Sequence, residues 1–489
     1  MNEGYKNSPS ALDLRDWLRQ VQDIGELAEL EGVHWDREMG SLTQLVHEQI
    51  LDAPPALLFS RIPGYPENFR TLYGMLSSPK RLSMTLGISC ADNHRIALLK
   101  AFREKLNSVR LIPPREVTRG PVLENVVRGE KVDVLKFPVP KHHENDPARF
   151  VGTGCAVILK HPDQELYNIG TYRSMVYNER EIGLEMNPGN DGGKIQKLYI
   201  ERNQPMPVVI CVGQHPLFYF VGATPQPRPE YEVAGGLTGA PVDVIRGPAT
   251  GLPIPAYAEI ALEGFVHPQN LKPEGPFGEW MGYYASEVVD RPCVTVEAIL
   301  HRDDPILTCS AQHTPPDETY LLHALGNSAK VWTDLETLGV RGIEGVWQSE
   351  GGSGKKFLVL SIEQAFEGHA RQVLHAAAAS RGALFGGKWI VVVDTDIDPT
   401  NVIEVMWALS SRVNGLDDMD FVQVAPTGSI VDPLTGKYHN TRILVDATIP
   451  YARKVAGNFP KAVTVSDDLK ASLMSRWGSL FSHAGTTKG

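Results

Sequence analysis

Apolar positions recur at helical spacing over residues 11–31, where Leu12, Leu14, Trp17, Leu18, Val21, Ile24 and Leu27 fall on one face. That pattern predicts an amphipathic helix. A second helix is predicted over residues 41–51, with Ser41 as its N-cap. The unbroken run Ala56-Leu57-Leu58-Phe59 reads as a short buried strand, and helical spacing returns over residues 79–87 and 94–107. Between about residues 120 and 302 the texture changes to short β-rich runs (155–159, 208–212, 242–245, 258–262, 293–300) punctuated by Gly and Pro. Such runs predict a sheet or barrel rather than a doubly wound unit. The last third alternates strand 357–362, alanine-dense helix 364–380, buried strand 389–394 and helix 401–412, the rhythm of an α/β domain. After Val455 the chain is polar, with a helix expected over residues 467–481 as an arm or oligomer contact. The expectation is a multidomain α+β and α/β chain, divided at 1–120, 121–305, 306–455 and 456–489.

Composition narrows the class. A length of 489 residues allows two or three domains. A net charge of −11 argues against a nucleic-acid binder, which would usually be basic. Cys90, Cys155, Cys211, Cys293 and Cys309 are widely spaced and form no CxxC pair. That usage fits a reduced, intracellular protein better than a disulfide scaffold or a zinc site. No apolar leader opens the chain, and no window reaches the roughly 18 apolar residues of a membrane span. A cytoplasmic enzyme is expected.

The run from Glu274 to Tyr283 places two carboxylates, Glu274 and Glu279, around a Gly-Pro-Phe-Gly turn. Gly275 and Gly278 permit positive φ or close approach to a ligand, and Pro276 fixes its own φ. Crowded carboxylates can divide roles, one acid and one base; taken alone, the same run is equally a solvated surface turn. Asn168-Ile169-Gly170-Thr171-Tyr172-Arg173 ends a β-type run, and Arg173 carries a planar fork suited to carboxylates. Glu230, after a proline-rich stretch, is a candidate oxygen ligand for a divalent ion. Residues 351–356, Gly-Gly-Ser-Gly-Lys-Lys, lack the spacing of a phosphate loop and are expected to form a mobile loop. His142 and His143 are adjacent, so on an extended segment they point opposite ways and make poor joint ligands.

Together, residues 168–173, Glu230-Tyr231 with Ala234-Gly235, residues 274–282, residues 406–412 and Arg442 with Asp446-Ala447-Thr448 resemble the UbiD family of reversible decarboxylases. The resemblance implies an N-terminal α/β region, a split β-barrel that binds prenylated FMN, and a C-terminal α/β dimerisation domain. Arg173, Glu274 and Glu279 match the family's Glu-Arg-Glu triad. In that reading Arg173 holds the substrate carboxylate and pairs with Glu274. The modified flavin bonds to the carbon beside the carboxylate and acts as the electron sink, and Glu279 donates a proton after CO2 leaves. Asn168, Ile169, Thr171, Arg173, Ala223, Thr224, Glu230 and Arg442 match cofactor-contacting positions, with Arg442 at the phosphate. Asn168 and Glu230 match ligands of a divalent metal, commonly manganese, that accompanies a potassium ion. The third ligand is usually a histidine. Lys194 aligns there, and a protonated ammonium cannot ligate. Either Lys194 neutralises the phosphate itself, or Asp191 or water completes the shell.

His323 aligns with a position lining the substrate pocket, where an imidazole able to titrate near neutrality suggests a furan, pyrrole or indole carboxylate or a hydroxybenzoate. The expected activity is reversible non-oxidative decarboxylation of an aromatic or heteroaromatic monocarboxylic acid by a homodimer or higher homo-oligomer, supplied with cofactor by a flavin prenyltransferase. Two alternatives stay open: a subunit of a multi-component aromatic carboxylase, and a non-catalytic flavin-binding homologue.

Overall fold

In the computed structural model, described over residues 12–89, 94–225, 229–285, 288–384, 387–426 and 439–478, the three textures become three principal sheets. Cys90, most of the proline-rich run before Glu230, and the outer ends of the first and last predicted helices lie outside those residues. The chain divides into two compact units at Thr448. The first carries all three sheets; the second carries the helices Tyr451–Ala456 and Asp467–Trp477.

The first helix is shorter than its pattern, Leu14–Asp23, and buries Leu14, Trp17, Leu18 and Val21. Gly25 takes φ 72° just beyond it, a conformation that stops a helix, so Leu27 opens a strand instead. That strand, Leu27–Glu31, runs parallel to Ala56–Ser60, and Arg70–Tyr73 and Ile306–Thr308 complete a four-stranded sheet. The second helix begins at Glu38, so Ser41 lies inside it rather than capping it. Glu38 closes that start by accepting from His34 N at 2.8 Å. Ser78 and Gly87 cap Pro79–Leu86 as side-chain acceptor and left-handed terminator.

The central sheet has nine strands, and its long hairpin, Ile260–Glu274 with Val289–His301, forms the spine. The strand expected at 258–262 is the start of that 15-residue strand. Helices Pro216–Ala223 and Glu230–Thr238 were hidden in the sequence. Leu217, Phe218, Tyr219, Phe220 and Val221 are all buried, so no polar face marks a period. Glu230, expected in a turn, is the first residue of its helix.

The C-terminal sheet orders Ile343–Gln348, Phe357–Ile362, Trp389–Asp394, His439–Asp446 and Met419–Pro426. Ile390 to Val393 are fully buried because helices and neighbouring core cover both faces of this parallel centre. The predicted helix 364–380 is realised as His369–Ala379. The glycine-rich run 351–356 is an ordered turn rather than a mobile loop. Gly354 sits at φ 67°, and a Cβ there would lie 2.3 Å from Tyr320 O, so only glycine lets the turn seat on the helix Tyr320–Thr337.

Candidate active site

The long strand Ile260–Glu274 ends on a buried carboxylate, and the chain turns at Gly275, φ 106°, into the two-residue strand Phe277–Gly278. Glu279 follows, its N–H donating to Tyr283 O at 3.0 Å while Gly282 N donates to Glu279 O at 2.8 Å. The turn aims both glutamates at Arg173, which stands at the start of Ser174–Val176. Arg173 Nη2 donates to Glu274 Oε2 at 2.6 Å and Nη1 to Glu279 Oε1 at 2.9 Å. The group is nearly dry: the side chains of Arg173, Glu274 and Glu279 are 6%, 1% and 13% exposed. Burial would lower the proton affinity of Arg173, but Glu279 and Glu274 more than offset it and hold the guanidinium above its ordinary range. Charge-assisted bonds of this length in a dry site fix geometry tightly. Glu274 Oε1 is buried without a hydrogen-bond partner.

Arg173 and Glu279 border a cavity of about 340 Å³, with Glu274 buried behind them. At one end stand Asn168, Glu230 and Asp191. Glu230 Oε2 accepts from Ile169 N at 3.1 Å, and Tyr172 Oη donates to Asn168 Oδ1 at 3.3 Å. Burial pushes Glu230 up to about 7, against the backbone N–H of Ile169 that favours its charge. Asp191 begins the helix Asp191–Glu201, capped by Asn190 Oδ1 accepting from Gly193 N at 2.7 Å. Lys194 faces away: it is exposed, pairs with Asp191 at 2.8 Å, and borders a separate shallow groove. Ile169, Thr171, Ala223 and Thr224 all line the cavity. Gly170 is required there, since its Cβ would lie 2.3 Å from Tyr172 Oη.

At the other end Glu279 and Trp280 meet His323, Asn327 and Lys355. Lys355 Nζ lies 4.2 Å from the centre of the Trp280 ring. Burial lowers Lys355 to about 8, partly opposed by Asp317 and Glu279. His323 is pushed well below its ordinary value by burial and then by Lys355, so it is a neutral hydrogen-bonding group at neutral pH, not the titrating imidazole expected. Buried Asp317 is raised by its desolvation to about 6.

The structure thus gathers Arg173, Glu279, Asn168, Ile169, Thr171, Ala223, Thr224, Glu230 and His323 around one cavity, joins Glu274 to them through Arg173, and leaves Arg442 out. Arg442 is buried in its strand, donating to Pro426 O at 2.8 Å and to Ala378 O, and does not line the cavity. Its guanidinium is engaged by backbone carbonyls of the C-terminal region. Among the cavity residues that escaped the sequence reading are Lys355, hidden in a run read as a loop, and the ion pair Glu185–Arg291. Glu185 lay only 12 residues beyond Arg173, the sole hint available.

Among the described residues no helix is long and apolar enough to cross a membrane, and no group of three His, Cys, Asp or Glu residues is placed to hold a metal ion. Comparison with known proteins identifies three consecutive domain families. They are described as the N-terminal domain (residues 18–98), the Rift-related domain (115–315) and the C-terminal domain (320–447) of 3-octaprenyl-4-hydroxybenzoate carboxy-lyase, UbiD. Solved structures agree over nearly the whole chain. The vanillic acid decarboxylase of Sedimentibacter hydroxybenzoicus is 24% identical, covers 97% of this chain and 100% of its own, and superposes with a TM-score of 0.82. The UbiD-class enzyme HmfF from Pelotomaculum thermopropionicum, in complex with FMN, is 26% identical over 95% of this chain and 99% of its own, TM-score 0.83. An evolved dimeric form of HmfF in complex with prFMN is 25% identical over 96% and 100%, TM-score 0.80. The 3,4-dihydroxybenzoic acid decarboxylase of Enterobacter cloacae is 22% identical over 96% and 100%, TM-score 0.83, a likeness of fold. With three family domains in order, a shared three-domain fold and these site residues around one cavity, the chain belongs to the UbiD family of carboxy-lyases.

Proposed function

We propose that this protein decarboxylates an aromatic or heteroaromatic carboxylic acid with the aid of prenylated FMN. The single observation that carries the reading is the dry, two-pronged contact of Arg173 with Glu274 and Glu279, Arg173 and Glu279 standing on the wall of one cavity. The cofactor bound by HmfF suits this cavity: Asn168, Asp191 and Glu230 line it with the oxygen ligands that a cation accompanying a phosphate needs. When bound, prenylated FMN supplies the electron sink that cleavage of the carbon–carboxylate bond requires.

Ile169, Thr171, Ala223 and Thr224 would hold the flavin. Asn168 and Glu230, with Asp191 as third oxygen donor, would hold a divalent metal of the manganese type; hard cations prefer such ligands. Lys194 is outside that set, because it is exposed and already paired. Arg173 orients the substrate carboxylate and keeps Glu274 beside it as a fixed counter-charge. Glu279, the more exposed of the two glutamates, delivers the proton to the carbon that loses CO2. Phe277 and Trp280 flank Glu279 as nearly buried aromatic side chains and keep water from competing for that proton.

His323 and Lys355 meet the substrate at the other end. A neutral imidazole and an ammonium resting on an indole ring suit a ring substituent that accepts hydrogen bonds or carries partial negative charge, such as a phenolic oxygen. Residues 121–305 are proposed as the flavin-binding domain and residues 306–455 as the partner domain that contributes His323 and Lys355. The intact triad favours an active enzyme over a non-catalytic homologue.

The test is production alongside a flavin prenyltransferase, mass spectrometry of the bound flavin, and a CO2-release screen across aromatic acids. A prenylated flavin with CO2 release from at least one acid is the expected result. Protein so produced that carries no flavin would overturn the reading.

A further inference from the structure

Sheet register sets a second pair of charges beside the Arg173 group. Ser174–Val176 and Glu181–Leu184 are antiparallel with Ser174 opposite Leu184, and one step further Glu185 N donates to Arg173 O at 3.3 Å. Glu181–Leu184 also pairs with Val289–His301, Gly183 opposite Cys293, and two steps further the side chains of Glu185 and Arg291 form an ion pair. Residues opposite one another on neighbouring strands present their side chains to the same face. Arg173, Glu185 and Arg291 therefore make a row of alternating charge across three strands, and all three line the cavity. The side chains of Glu185 and Arg291 keep 19% and 22% of their exposure, so the row is reached from the cavity rather than sealed in the core.

The charges that face Glu185 are Arg173, at the start of its neighbouring strand, and Arg291, from the long hairpin. Glu274 ends the hairpin's other strand, and Glu279 comes from the turn beyond it. The two guanidiniums attract Glu185 and the two glutamates repel it. Burial is the largest influence and favours its neutral form, and the net effect raises its proton affinity. Three carboxylates against two guanidiniums leave an excess of negative charge, and groups coupled so closely titrate as a cluster rather than singly.

We propose that Glu185 and Arg291 are positioning residues of this active site, a balancing charge pair that sets the pH range over which the Arg173–Glu274–Glu279 group takes up and releases its proton. The proposal rests on the decarboxylase reading, since that reaction requires the group to pass a proton on, but its test does not need turnover. Neutralising Glu185 leaves two guanidiniums against two carboxylates, so the cluster takes up its proton only at lower pH. Neutralising Arg291 leaves three carboxylates around one guanidinium, so uptake moves to higher pH. The two shifts have opposite sign and cancel when both charges are removed.

The measurement is an infrared pH titration of the carboxyl band in the full-length, flavin-free protein, with Glu279→Gln as the difference reference that assigns the band to the cluster. Glu185→Gln is expected to move the transition toward acid by on the order of one pH unit, and Arg291→Gln toward alkali by a similar amount. The double variant should return to the wild-type position, and Arg291→Lys, which keeps the charge, should stay there. Shifts of the same sign, or none, in folded protein would overturn the proposal. Should Arg291→Gln not fold, Glu185→Gln with Arg291→Lys decides: an acid shift in the first with none in the second supports the pair, and an unmoved Glu185→Gln overturns it. Opposed shifts in a protein that, loaded with prenylated flavin, releases no CO2 would uphold the charge pair and overturn the decarboxylase reading instead.

Discussion

Two regions of the active site use glutamate in opposite ways. Glu274 sits at the end of a strand and meets a guanidinium at 2.6 Å, so its charge is matched within the protein itself. Glu230 sits at the start of a helix, half-buried, and receives a backbone N–H and an amide neighbour, with burial pushing it up to about 7. The same side chain is half of a buried ion pair in one region and a carboxyl balanced between charge states in the other. What separates them is the partner, which strand register supplies to Glu274 and which a hard cation would supply to Glu230. One end is built to work on a substrate, the other to hold a charged ligand.

The sharpest way to break that contrast is at Arg173. Arg173→Met should abolish CO2 release and, by stranding two buried carboxylates, cost about 3–5 kcal/mol of stability, read as a fall in thermal midpoint with flavin-loaded protein. Arg173→Lys should recover stability but little activity, because an ammonium cannot hold two carboxylates in a planar fork. Next in size is Glu279→Gln, with an expected loss on the order of 10²–10⁴ in turnover and undiminished flavin content by mass spectrometry. Turnover that survives would remove Glu279 from the proton role.

At the opposite end, Glu230→Gln should lower flavin and metal occupancy, measured by absorbance and elemental analysis, while turnover per bound flavin stays near wild type. A loss of turnover at full occupancy would merge two ends that the structure keeps apart. Smaller still is the effect of Lys355→Met, a rise in KM of about tenfold for acids with a ring hydroxyl and little change for acids without one. The sign of its pH dependence follows from a lysine lowered to about 8. Any contact that needs the ammonium is complete below that pH and is lost as pH rises through it, earlier than for an exposed lysine. KM for hydroxylated acids should therefore climb above about pH 8 in wild type and stay flat in Lys355→Met. Lys194→Ala, an exposed residue, should change neither occupancy nor turnover by more than about twofold.

How much of this was legible along the chain depended on whether the signal was local. The helix Pro79–Leu86, the buried strand Trp389–Asp394 and the three textures were readable because apolar spacing, apolar runs and turn residues act within a few positions. Glu274, Glu279 and Arg173 were readable as a group only through the resemblance of several motifs to one family; the turn alone read equally as a solvated loop. Helix Pro216–Ala223 was not, since burial on all sides erases periodicity. Lys355 was masked by the glycines that let its turn approach Tyr320. Arg442 was assigned to the phosphate on resemblance, yet its side chain turns to backbone carbonyls.

By itself the amino-acid sequence determined the order of the three regions and the placement of most strands, because local patterning encodes them; that Glu274 and Glu279 meet at Arg173 was only implied, by the resemblance to the UbiD family. Only the tertiary structure decided which charges face one another. It turned Lys194 outward, drew Lys355 onto Trp280, and set Glu185 opposite Arg173 and Arg291 by register across three strands. Electrostatic partnership is a matter of ångströms and of excluded water, and residues 106 positions apart, such as Arg173 and Glu279, acquire it only when the sheet brings them together.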